Sequence, residues 1–171
     1  MGEATDHKRL AIYLNDHLAG STVGVELVQR IAGSNRGTAL GSMLERLTAE
    51  VREDRETLER LMDQLGAGQD RIKVAGAWTA EKVGRLKLNG QLRGYSPLSR
   101  LEELESLRIG IHGKLDMWRA LSRAIGTVPG FDFDELAARA DRQLRQLDEF
   151  HAEAAEGAFV GAARARVTDT G

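Results

Sequence analysis

Cysteine is absent from this sequence. That excludes disulfides, thiolate metal sites and cysteine nucleophiles together, and it fits a reducing compartment. Proline is nearly absent: Pro97 and Pro129 are the two. Each marks a break between long helices, because proline lacks a backbone donor and clashes with the preceding turn. Aromatic residues make up 5% of the chain and β-branched runs are scarce, both of which argue against a sheet. No long uncharged apolar run exists. The most apolar stretch, Leu10 to Ile31, contains Asp16, His17, Glu26 and Arg30, too many charges for a simple membrane span. Met1 to Lys8 holds no apolar segment, so a signal peptide is not expected. Asp6 stands where a myristoylation signal needs Ser or Thr. The expectation is a soluble, cytoplasmic protein without a membrane partner.

What is present is helical pattern. With 171 residues, 42% hydrophobic and 29% charged, the chain has the size and balance of one globular domain. Leu10, Leu14, Leu18, Val25 and Val28 form a stripe at helical spacing and predict a first helix over about 6–32, with Asp6 as its cap and Gly33-Ser34-Asn35 as its stop. Leu40, Leu44, Leu47, Val51, Asp54, Leu58, Leu61 and Leu65 alternate in spacing by four and three. This is a heptad seam over about 38–65, and one member is an aspartate. A shorter basic helix is predicted over 69–88, a third long helix over 97–125, and a fourth over 132–159 capped by Asp132 or Asp134. The third carries Leu101, Leu104, Ile111, Leu115, Trp118 and Ile125. The fourth carries Phe133, Leu136, Ala140, Leu144, Leu147, His151, Ala154 and Ala158. Residues 161–171 read as a flexible tail after a single domain over 6–160.

Loop lengths set the topology. The first and second helices are joined by about four residues, as are the third and fourth, so each pair is an antiparallel hairpin. Roughly 30 residues lie between the hairpins, enough for a helix to cross most of a bundle's length. The expected fold is all-α: an antiparallel four-helix bundle with a helical crossover, in up-down-down-up order.

Polar residues on or near the stripes suggest a site. Asp148-x-x-His151 lies in the fourth helix, with His151 in the stripe. Asp54 sits in the second, with Glu50 one turn before it. Glu105 and His112 are seven residues apart in the third and share roughly one face. His17 lies mid-way along the first. In this architecture and partial motif the chain resembles the ferritin-like superfamily, over about Leu10 to Phe159. The resemblance implies metal ions between the four helices, held by carboxylates and by Glu-x-x-His pairs, with oxygen-dependent oxidation as the inherited chemistry. The ligand set it implies is Asp54, Glu105, His112, Asp148 and His151, with His17 and Glu50 as further candidates. Iron, manganese or zinc would fit that donor set. Neither hairpin has an intact Glu-x-x-His, so a single-metal or metal-free site stands beside the two-metal one. The alternative reading is structural: His151 bonded to Asp148 or a carbonyl, and Asp54 as a buried polar residue that fixes helix register and needs a partner.

Two further features invite partners. From Arg71 to Arg100 there are seven basic residues against Glu81 alone, so that segment is +6 and the remainder −8. It reads either as a docking face for an anionic partner or as a basic crossover lying on an acidic body with Trp78 as its anchor. Aromatics do not interleave with its basic residues, so a single-strand stacking platform is unsupported, and a net charge of −2 excludes a globally basic nucleic-acid binder; nucleic acid is not the expected partner. Gly20 and Gly24 weaken the first helix and suit either close helix packing or a pocket. A homodimer is among the expected states. The run Glu45 to Asp63 outside the seam reads as a solvated face of paired charges. No His-Glu-x-x-His, phosphate-binding loop, dinucleotide loop or nucleophile elbow is present. The competing class is therefore a non-catalytic helical protein that binds a partner through its surface.

Overall fold

The computed structural model describes residues 2–68 and 95–168, and their side chains over 6–68 and 95–160. The expected crossover helix over 69–88, its basic residues and Trp78 lie outside the described residues. Four helices form the structure: α1 (Gly2–Ser34), α2 (Ala39–Gln64), α3 (Pro97–Ile125) and α4 (Phe133–Thr168).

Helix starts follow local chemistry. Thr38 caps α2, its hydroxyl accepting from the Gly41 amide at 3.0 Å. Ser96 caps α3, accepting from the Ser99 amide at 3.1 Å, with Pro97 in the first turn where its missing N–H costs nothing. Asp132 is the residue that caps α4, its carboxylate accepting from the amides of Asp134 and Glu135 at 3.1 and 3.0 Å. Such caps satisfy amides that have no intrahelical partner. Asp6 does not cap α1, which already begins at Gly2; it pairs instead with Arg9 at 3.4 Å. The helix ends at Ser34, within the expected Gly33-Ser34-Asn35 stop, but the left-handed turn falls on Gly37, at φ +77°, rather than on Gly33. The backbone of α4 runs on to Thr168, past the expected end at 159.

Packing pairs α1 with α2 and α3 with α4 as hairpins, with α1 also against α3 and α2 against α4. Two end contacts fix direction. Asn35, in the α1–α2 turn, donates to the Tyr95 hydroxyl just before α3 at 2.7 Å. Gln64, at the end of α2, donates to the Pro129 carbonyl in the α3–α4 turn at 3.1 Å. So α2 and α3 start at the same end of the bundle. The described residues on either side of the 69–94 segment are held by the first hairpin: Asn15 of α1 donates to the Gly68 carbonyl at 3.0 Å, and Asn35 of the α1–α2 turn holds Tyr95.

The core follows the predicted stripes of α2, α3 and α4, whereas in α1 Leu14 and Val28 are buried with the unpredicted Leu27 and Ile31, and Leu10, Leu18 and Val25 are only partly buried. Leu40, Leu44, Leu47, Val51, Asp54, Leu58 and Leu61 are all buried, with Leu65 at the edge. Leu101, Leu104, Ile111, Leu115 and Trp118 meet them from α3, and Phe133, Ala140, Leu144 and Leu147 from α4. Each fully buried leucine contributes about 1.5–3 kcal/mol relative to exposure. Trp118 is fully buried and stacks on Phe133 with ring centres 6.2 Å apart. Among the described residues no helix is long and apolar enough to cross a membrane.

Candidate functional site

The heptad seam of α2 carries Asp54 into the core, where it is 3% exposed. A carboxylate taken out of water needs a counter-charge, or it costs several kcal/mol. Three side chains from the other hairpin answer it. The Lys114 ammonium of α3 donates to Asp54 Oδ2 and to Gln143 Oε1. Gln143 of α4, fully buried, donates to Asp54 Oδ2 at 3.1 Å and to Glu50 Oε2 at 3.0 Å. The Arg139 guanidinium of α4 pairs with Asp54 Oδ1 and, at 2.9 Å, with Glu53 at the surface. Both oxygens of Asp54 are therefore engaged by cations of the same chain.

The electrostatics follow from burial. Loss of water around Lys114 lowers its pKa from the ordinary lysine value; Arg139 adds to this, while Asp54 and Glu50 act against it. Burial also works to lower the pKa of Arg139, but the Asp54 and Glu53 carboxylates together outweigh it and the value is raised. Nearer the end of the bundle where α3 starts, burial raises the Glu103 carboxyl above its usual range, despite its pairing with Arg30 at 3.2 Å.

The other predicted site residues are spread over the bundle. His151 pairs with Glu105 at 3.3 Å on a partly exposed α3–α4 face. Asp148 is exposed and pairs with Arg108 at 2.6 Å, so it is not the partner of His151. His112 is exposed. His17 makes an edge-to-face contact with Tyr13 on α1, with ring centres 4.6 Å apart. Its pKa is lowered, chiefly by burial, with Asp16 acting against this. Of the seven candidates the structure brings together Asp54 with Glu50, joined through Gln143, and, separately, Glu105 with His151. Among the described residues no group of three or more histidines or carboxylates is arranged to hold a metal ion.

Lys114, Arg139 and Gln143 were not anticipated, and a signal for two of them was present. Lys114 follows Ile111 by three, and Gln143 stands three after Ala140 and four before Leu147, so both fall on the apolar stripes. An aspartate in one seam calls for a donor in the facing ones. Arg139 adjoins its stripe and reaches inward by its length. The surface reading of α2 holds at Arg55 and Glu59, which pair at 2.9 Å, whereas Glu53 turns to Arg139 of α4.

Comparison with family models, with curated proteins and with solved structures finds no match to this chain.

Proposed function

We propose that this protein is a non-catalytic helical bundle that works by binding a partner through its surface. One observation carries this reading: Lys114 and Arg139 occupy the carboxylate around which a metal centre would be built. A metal ion at Asp54 would have to displace two cations of the chain itself and leave them buried beside it, where like charges raise each other's energy. The surface reading draws on exposed apolar side chains at one end of the bundle. Leu98 begins α3 there, and Phe159 and Val160 lie near the end of the described side chains of α4. The closeness of Pro97 to Gly157 brings the two helix ends together.

The ferritin-like reading keeps partial support in the common starting end of α2 and α3, which agrees with up-down-down-up order. Fold order alone does not carry metal chemistry. The test is metal content by mass spectrometry after anaerobic reconstitution with Fe(II), Mn(II) and Zn(II), with His151→Ala and Asp54→Asn alongside. The expected result is no stoichiometric metal in any of the three proteins. One or two ions per parent chain, lost in either variant, would overturn the proposal and restore the metal site.

A further inference from the structure

The Asp54 layer has a directional charge pattern. Its carboxylates, Glu50, Glu53 and Asp54, all come from α2 in the first hairpin. Its donors, Lys114, Arg139 and Gln143, all come from the second. The opposite charges of the layer therefore meet only between hairpins, while the Lys114–Gln143 hydrogen bond lies within the second.

The apolar seam around it discriminates poorly. Leu40, Leu44, Leu47, Val51, Leu58 and Leu61 repeat by sevens, so a slip of one heptad sets leucine where leucine or valine stood at most levels. The same slip moves Asp54 to the level of Leu47 or Leu61. It sets Lys114 and Gln143 against hydrocarbon, and the buried charges lose their partners. A buried pair of this kind contributes little net stability, because desolvation of both ions offsets their attraction, but breaking it is costly. The penalty falls on wrong registers and spares the right one.

We propose that the Asp54 layer selects the register in which the two hairpins dock. The α1–α2 and α3–α4 hairpins are each held by short turns and extensive packing. Docking one on the other is the step at which the chain has a choice, and the polar layer makes that choice.

The absence of native cysteine makes the test direct. Glu56→Cys on α2 and Arg145→Cys on α4, both exposed positions, take spin labels for distance measurement by pulsed electron resonance. The parent is expected to give one narrow distance distribution. An apolar layer, Asp54→Leu with Lys114→Met, Arg139→Leu and Gln143→Leu, is expected to stay helical and compact. It should show a second population displaced along the bundle axis by about 10 Å, the rise of seven helical residues. The milder pair Asp54→Leu with Lys114→Leu, which leaves Arg139 bound to Glu53, should show the same second population at lower weight. A single narrow distribution at the parent distance in either variant would overturn the proposal. So would failure of both variants to fold, since a layer that only selects register is dispensable for compactness.

Discussion

Asp54 of α2 and Lys114 of α3 are joined by a direct ion pair although their helices are not packing neighbours. The lysine reaches across the interior of the bundle, its side chain 15% exposed and the carboxylate 3%. Removing the carboxylate alone, as Asp54→Ala, strands a buried ammonium beside a guanidinium. The expected cost is about 3–5 kcal/mol, read from the midpoint of urea denaturation. Asp54→Leu with Lys114→Leu should recover most of that loss. If the single and double variants lose the same amount, the pair is not the source.

Acid should act through His17. Burial lowers its pKa from 6.5, so below that value the unfolded chain binds a proton that the folded chain does not. Stability then rises with pH across the window beneath 6.5 and falls as the medium is acidified through it. Midpoints measured from pH 5 to 7.5 should slope upward more steeply in the parent than in His17→Gln. Parallel curves would show that His17 contributes nothing to the slope.

Two glycines should respond in opposite senses to alanine. At Gly41 an added Cβ would fall 2.1 Å from the Asn35 carbonyl oxygen, a backbone atom that the α1–α2 turn holds in place. Gly41→Ala is expected to lose about 1–3 kcal/mol through forced displacement. At Gly110, in the interior of α3, the added atom meets nothing within 4 Å. There Gly110→Ala should gain up to about 1 kcal/mol from helix propensity. Thermal melts of the two variants beside the parent decide both. A melting point for Gly41→Ala at or above the parent's would refute the steric reading of the turn.

The legible part of the fold was the part that period encodes. The seam from Leu40 to Leu65 reads directly as a buried face, because a helix returns every third and fourth residue to one side. The caps at Ser96 and Asp132 lie close to where short polar side chains before apolar periods place a helix start. The overreach at the start of α1 has a simple cause. Asp6 has the chemistry of a cap, but nothing after Gly2 breaks the helix, so the aspartate sits inside it.

The sequence by itself determined an all-α pattern of two helical hairpins with Asp54 on an apolar stripe, since periodicity, capping and short turns are local properties. Tertiary structure alone decided what that aspartate meets. Asp54 could have faced histidines across the bundle; it faces Lys114, Arg139 and Gln143. The choice depends on how far α3 and α4 are rotated and shifted against α2, and a shift of one turn, about 5.4 Å, would exchange every partner. Nothing within a single helix carries that offset. It is fixed where all four helices bury their apolar stripes together and the buried charges find opposite ones.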